Sequence, residues 1–357
     1  MNVSAKITGV KYTPFSCKNL HSYDIKNLDN AFIENTAFLL NFNNNKQIAL
    51  SWWVSAKRTR SYPYARIYDT LSFQGKKVTV IPIFKDEGFE GDRDFLQWDT
   101  ISLMSLLGVF TIISYYNYAD KSPNYENKIT NQRFDIKHLQ SELVNILSYQ
   151  SDALHWNLLQ IDKVGKIAQK ALNAYDAISR NVNVKMHSYD TANKRVQELL
   201  KGKENFMSLS RNLSQKAQER ESATIQPKEK LDGTKAMLTI KNYLGGYYFL
   251  TADEIKLVNK SICLIEGKHS KESIIPSTED IKDGLIKMIL LSNLEEVKIG
   301  ANRYTPLPIL KLTSSKIFSK DNLSPSKLKL LKLLRKEAIK NNFDVLVNET
   351  NLRDINL

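Results

Sequence analysis

Residues 253–271 read DEIKLVNKSICLIEGKHSK, and the fold of the chain turns on what this run becomes. Ile262 to Ile265 have the unbroken apolar character of a strand buried on both faces, and the run then passes directly into Glu266, Gly267, Lys268 and His269. Side chains alternate along a strand, so Ile262, Leu264, Glu266 and Lys268 share one face while Cys263, Ile265 and Gly267 share the other. A carboxylate and an ammonium therefore emerge into one small volume at the end of a buried strand. Upstream, Asp253 opens EIKLV and VNKS supplies a reversal, so an antiparallel pairing can bring Asp253 level with Glu266. Two carboxylates and one lysine suit metal-assisted phosphodiester hydrolysis. Asp253, Glu266 and the Gly267 carbonyl are hard oxygen donors for Mg²⁺, with Mn²⁺ able to substitute, and Lys268 can orient or activate a water and offset phosphate charge.

Working outward, MLTIKNYL, GYYFL, EIKLV and SICLIEGKH read as strands. TEDIKDGLIKMILLSNL then reads as a helix with Ile281, Leu285, Ile286, Ile289 and Leu290 on its apolar face, leading into strand EEVKIG. This predicts an α/β core over 231–310, a mixed β-sheet flanked by helices. Residues 1–121 predict an N-terminal α/β region: TAFLLNF with QIALSWWVS and YARIYDTL with KVTVIPIF as hairpins, a helix from EGDRDFLQWDTISLMSLLG, then strand VFTIISYY. Residues 121–131 read as a linker, and 132–230 as a central helical module with Ile136, Leu139, Leu143, Ile146 and Leu147 at helical spacing. Residues 311–357 predict a basic helical tail, with Ser324 and Pro325 placed to open the helix KLKLLKLLRKEAIK. Hairpin, helix and strand recur in this order over Arg66–Tyr116 and Asp253–Gly300, a coarse echo.

The chain of 357 residues carries 51 Lys and Arg against 38 Asp and Glu, a formal net charge of +13, which suits a polyanionic partner or simply a charged, soluble surface. Cys17 and Cys263 are its two cysteines, so neither a disulfide framework nor a cysteine-rich zinc site is indicated, and a reducing, cytoplasmic setting fits. MNVSAKITGVKYTPF lacks the apolar run of a signal peptide. Residues 101–119, ISLMSLLGVFTIISYYNYA, carry no charge and approach membrane-spanning length, but Gly108 divides them into an apolar helix and a β-branched strand, so no membrane partner is expected.

Asp253 followed by EIKLVNKSICLIEGK resembles the Asp-X(n)-Glu-X-Lys signature of the PD-(D/E)XK nuclease superfamily, with Ala252 where the signature's name has proline, and the TEDIKDGLIKMIL helix resembles the one that packs on that core. The resemblance covers about 60 residues. It implies a restriction-endonuclease-like core with Asp253, Glu266 and Lys268 catalytic, and Glu221 as an extra acid supplied by a preceding helix. It further implies a Type II restriction endonuclease, a Mg²⁺-dependent enzyme cutting double-stranded DNA at a short site, acting as a homodimer beside a cognate DNA methyltransferase. The alternatives are a structure-specific repair or recombination nuclease and a non-cleaving DNA-binding protein.

Candidate DNA contacts fall in three basic stretches. Arg58 and Arg60 lie in AKRTR beside Trp52 and Trp53; Arg211, Lys216 and Arg220 lie in the helical module; Lys327, Lys329, Lys332 and Lys336 lie on the terminal helix, which equally suits packing with a wet lysine face. A rival site is offered where Asp69 precedes VTVIPIFKDEG, but Ile83 occupies the position of the first acid, so the region from Asp69 to Glu87 reads as structural, a degenerate core, or DNA-contacting. The five histidines, His21, His138, His155, His187 and His269, show no metal-binding spacing.

Overall fold

The computed structural model describes residues 1–43, 45–201, 208, 212, 215–216, 218–219, 234–243 and 246–357. The chain forms two compact units, Met1–Asn19 with Leu213–Leu357, and Leu20–Asn212. The mixed α/β expectation holds for both. These units divide the chain differently from segments at 1–121, 132–230, 231–310 and 311–357: the first strand belongs with the C-terminal half, and the helical module's described helices belong with the N-terminal sheet.

In the first unit, nine strands among the described residues form one sheet. Its order is Asn302–Arg303, Glu295–Ile299, Asn2–Ile7, Thr234–Asn242, Tyr247–Val258, Ser261–Ser270, Thr305–Ser314, Asp344–Val347 and Thr350–Asn351. GYYFL and EIKLV are one long strand, Tyr247–Val258, which turns back antiparallel into Ser261–Ser270 with Val258 opposite Ser261. Thr305–Ser314 then lies parallel to Ser261–Ser270, and Asp344–Val347 parallel to Thr305–Ser314. Parallel neighbours need a crossover, and helices supply it in both cases. Helix Thr278–Leu291 begins where Ser277 Oγ accepts the Asp280 N–H at 3.1 Å, with Glu279 and Asp280 in its first turn, and buries Ile281, Leu285, Ile286, Met288 and Ile289.

Helix Pro325–Lys340 begins at Ser324 with Pro325 in its first turn, as its sequence predicts, but it is a crossover rather than a tail. It buries Leu331, Leu334 and Ala338, and the buried Glu337 accepts hydrogen bonds from Tyr12 Oη (2.7 Å), the Phe15 N–H (3.0 Å) and Ser16 Oγ (3.0 Å).

In the second unit the sheet order is Ser22–Asp24, Ala37–Phe42, Lys46–Trp52, Lys76–Pro82 and Val109–Ser114. The first hairpin forms as expected. The second does not. Lys46–Trp52 and Lys76–Pro82 are parallel, so their connection must cross over, and YARIY becomes helix Pro63–Tyr68 with Pro63 in its first turn. The echo between the two halves fails on this element. The stretch read as a linker forms a hairpin of Tyr116–Lys121 with Ile129–Phe134.

The uncharged run 101–119 divides at Gly108, whose φ of +66° suits glycine. Helix Trp98–Leu106 before it and strand Val109–Ser114 after it are buried at every position. No helix among the described residues is long and apolar enough to cross a membrane. Val109–Ser114 ends the sheet, and the helical module covers its open edge. Asn157 Oδ1 accepts the Thr111 N–H (2.7 Å) and its Nδ2 donates to the Val109 carbonyl (3.0 Å), while Trp156 Nε1 donates to the Thr111 carbonyl (2.8 Å). Side chains thus stand where a further strand's backbone would pair, and the edge is closed to other chains.

Candidate active site

The site lies within the first unit, where the Tyr247–Val258 and Ser261–Ser270 strands stop pairing. Their ladder begins at Glu254 opposite Ile265. On its other side, Tyr247–Val258 carries a bulge: Thr234 opposes Ile255 and Ala236 opposes Ala252, so Asp253 and Glu254 together face one residue. A bulge re-aims side chains. Here Asp253 Oδ2 accepts the Gly267 N–H at 2.8 Å. A strand residue's N–H and C=O point to the same side, so the Gly267 carbonyl also faces the Asp253 side, beyond the last ladder pair.

Glu266 is buried, and both of its oxygens are engaged. Lys268 Nζ lies 3.1 Å from Oε1, and Lys287 Nζ donates to Oε2 at 2.7 Å. Lys268 also donates to Asp283 Oδ2 at 2.7 Å. Asp283 and Lys287 stand four apart on helix Thr278–Leu291, one helical turn, and so present both charges to the end of the Glu266 strand. Between them Gly284 lets the helix come close: a Cβ there would lie 2.6 Å from Leu310 Cδ1 and 3.4 Å from Lys268 Cε. The five-membered constellation is thus Asp253, Glu266, Lys268, Asp283 and Lys287.

The charges hold one another ionised. Burial works to raise the Glu266 carboxyl, but the ammoniums of Lys287 and Lys268 outweigh it and hold the group below its usual range. Burial works to lower Lys268, and Glu266 and Asp283 outweigh it, leaving its pKa well above the usual lysine value. Lys287 is raised in the same way, against burial, by Glu266 and Asp253. Lys268 is therefore a firmly held ammonium in this arrangement, suited to donating hydrogen bonds rather than to accepting a proton.

Sequence reading brought Asp253, Glu266, Gly267 and Lys268 to one place, and the structure adds Asp283, Gly284 and Lys287. The i, i+4 pair was visible as a charged pair flanking an otherwise apolar helix face, but nothing local joined it to Glu266. Glu221, Arg211 and Arg220 lie outside the described residues. Lys216 is exposed, as are Lys329, Lys332 and Lys336, with Lys327 half-buried. Arg60 is engaged rather than free: it pairs with Glu87 (3.1 Å), Asp94 (3.0 Å) and Asp92. Arg58 is half-buried in the same loop. At the rival site Ile83 is core and Asp69 is buried at the end of helix Pro63–Tyr68. His269 is spent on the neighbouring strand, facing Thr313 Oγ1 (2.9 Å) and Ser315 Oγ (3.2 Å).

Among the described residues there is no cluster of three or more His, Cys, Asp or Glu side chains that could hold a metal ion. The site holds the carboxylates of Asp253, Glu266 and Asp283 and the Gly267 carbonyl, with Asp283 paired to Lys268. No family model, curated protein or solved structure matches the chain.

Proposed function

We propose that the chain is a Mg²⁺-dependent deoxyribonuclease, a Type II restriction endonuclease acting on double-stranded DNA, with Asp253, Glu266 and Lys268 as its catalytic residues. The observation that carries this reading is the Asp253–Gly267 hydrogen bond beside the Glu266–Lys268 pair. It puts two carboxylates, a peptide carbonyl and an ammonium around one strand end, on a sheet whose next strand is parallel and reached through the helix bearing Asp283 and Lys287. A structural ion pair alone gives no reason for the bulge that re-aims Asp253.

Asp253, Glu266 and the Gly267 carbonyl are the residues that would hold Mg²⁺, all of them hard oxygen donors, and Glu266, whose two oxygens meet Lys268 and Lys287, would exchange one of those contacts for the ion. Bound there, the ion would polarise the scissile phosphate and lower the pKa of a water. The chain's own residues do the remaining work. The Gly267 N–H fixes the Asp253 carboxylate through one of its oxygens. Lys287 and Lys268 keep Glu266 ionised despite its burial. Asp283 holds Lys268 in place as a cation, so that it opposes charge accumulating on the phosphate and orients the attacking water. In this reading the enzyme works as a homodimer with a cognate methyltransferase protecting host DNA, and the exposed face of Lys329, Lys332 and Lys336 binds phosphates.

The test is digestion of a mixed set of plasmids by the EDTA-treated protein with each ion in turn. Discrete fragments with Mg²⁺ or Mn²⁺, and binding without cleavage in Ca²⁺, are expected. Nicks confined to branched or damaged substrates would make it a structure-specific nuclease, and retardation without cleavage in any ion would leave a DNA-binding protein with a structural Glu266 cluster.

A further inference from the structure

The second unit carries a cavity of about 420 Å³ at the carboxyl ends of its parallel strands, where open α/β sheets bind their ligands. Trp52 and Val54 follow from Lys46–Trp52, Lys85 and Glu87 lie just beyond Lys76–Pro82, and Tyr116 lies just beyond Val109–Ser114. Lys128 closes the opposite side from the Tyr116–Lys121 and Ile129–Phe134 hairpin. The volume falls in the range of small-molecule sites, about 300–1,000 Å³.

The charges in this cavity are unevenly answered. Lys85 Nζ is 3.0 Å from Glu87 Oε1, but Lys128 Nζ is 3.6 Å from Oε2, too far for a hydrogen bond, and its other neighbour is the Tyr125 ring at 5.3 Å. Glu87 is also paired with Arg60. Two lining ammoniums thus share Glu87, while Arg60, its third cation, is answered by Asp92 and Asp94 as well. Behind the wall, the Arg66 guanidinium lies 4.8 Å from the Trp52 ring centre and donates to the Trp52 carbonyl at 2.9 Å. Burial pushes Arg66 down to about 10, with Tyr116 opposing the shift only in part.

The apolar side is rigid. Trp52 is held by Arg66, and its Nε1 donates to the Asn35 carbonyl at 2.9 Å; Tyr116 is stacked on Phe134 at 4.3 Å and its hydroxyl donates to the Val54 carbonyl at 2.9 Å. Gln132, also at the cavity, is fixed by donating to the Asp86 carbonyl (2.8 Å) and accepting from Tyr175 Oη (2.7 Å). An aromatic wall held in place beside two ammoniums that share one carboxylate suits a flat ring that carries a phosphate, with Lys128, the more loosely engaged of the two at 3.6 Å from Glu87, turning to the phosphate.

We propose that this cavity binds a nucleoside monophosphate unit, its phosphate on Lys128 and Lys85 and its base along Trp52 and Val54. The unit can come from a free mononucleotide or from one nucleotide of a DNA strand. This site is separate from the Glu266 cluster, and its test reads binding without any divalent ion, so its failure and that of the nuclease reading are distinct.

Isothermal titration of the full chain in EDTA would use dAMP, dCMP, dGMP and dTMP, the matching nucleosides, inorganic phosphate, and a mixed-sequence single-stranded oligonucleotide. At least one mononucleotide should bind saturably, more tightly than its nucleoside and than phosphate. Lys128→Ala should weaken it tenfold or more, and Lys170→Ala, at an exposed position of the same unit, should leave it unchanged. If the source is a strand, the oligonucleotide alone binds, with the same tenfold dependence on Lys128 and not on Lys170. Absence of saturable binding by both probes, equal affinity for phosphate and nucleotides, or binding indifferent to Lys128→Ala would each overturn the proposal.

Discussion

Glu266 and Glu87 are two carboxylates, each met by several cations near a strand end, and they differ in what surrounds them. Glu266 is buried, takes one lysine from its own strand and one from a helix, and sits beside a second carboxylate that a backbone N–H holds in place. Glu87 gathers Arg60, Lys85 and Lys128 from three separate stretches and borders a cavity with an aromatic wall. One arrangement concentrates hard oxygen donors in a small volume; the other sets two ammoniums and the carboxylate they share at the edge of a cavity. The same pairing chemistry is thus proposed to serve two kinds of site, decided by whether a second acid or an empty volume lies next to it.

The two clusters should differ most in stability. Glu266→Gln leaves two nearly buried ammoniums facing a neutral amide and should cost about 3–5 kcal/mol, read as faster hydrogen exchange along Ser261–Ser270. The loss should depend on pH. The folded-state pKa of Glu266 is depressed, so its contribution is present above the ordinary carboxyl range and disappears as pH falls through the lowered value. Lys268 and Lys287 are raised, so on the alkaline side their contribution is whole below the ordinary lysine pKa and is lost as pH rises through the raised values. Wild type and Glu266→Gln should therefore converge in acid, and an equal difference at pH 3 and pH 7 would contradict the ion-pair account. Glu87→Gln should cost less, about 1 kcal/mol, because Arg60 keeps Asp92 and Asp94 and Lys128 reaches solvent.

Gly284→Ala should cost about 1 kcal/mol net in thermal unfolding: the Cβ crowds Leu310 and Lys268, and the gain in helix propensity offsets part of the strain. Its sharper readout is reduced cleavage with unchanged DNA binding, because the crowding falls on Lys268. The smallest effect expected is on the terminal helix. Reversing Lys329, Lys332 and Lys336 to Glu should weaken specific and random DNA alike and flatten the salt dependence by about 0.9 for each phosphate left without its lysine, and unchanged affinity at low salt would show that this face does not meet DNA.

Local pattern made the first unit's centre legible. The strand-to-acid transition at Glu266, the VNKS reversal and the apolar spacing of Ile281, Leu285 and Ile289 are all short-range signals, and the strands and helix follow them. The bulge at Asp253 was not legible, because it depends on register against Thr234–Asn242. Nor was the parallel run of the second unit: a short segment such as YARIYDTL fits strand spacing as well as helix, and the topology around it decides. The helical module's main task was hidden for a related reason. Asn157 and Trp156 look like ordinary helix residues until strand Val109–Ser114 is found to be an edge. The Glu87 cluster was hidden within the rival stretch from Asp69 to Glu87, since Arg60 and Lys128 reach it from distant positions in the chain.

Single-turnover cleavage of bound DNA with Mg²⁺ distinguishes a cleavage centre at Asp253 and Glu266 from a structural ion-pair cluster. Wild type would be compared with Asp253→Asn and Glu266→Gln, each confirmed folded and DNA-bound. The account predicts that both variants bind DNA and lose cleavage by about 10³-fold or more. Cleavage by Glu266→Gln at the wild-type rate would contradict it and move the chemistry elsewhere in the chain.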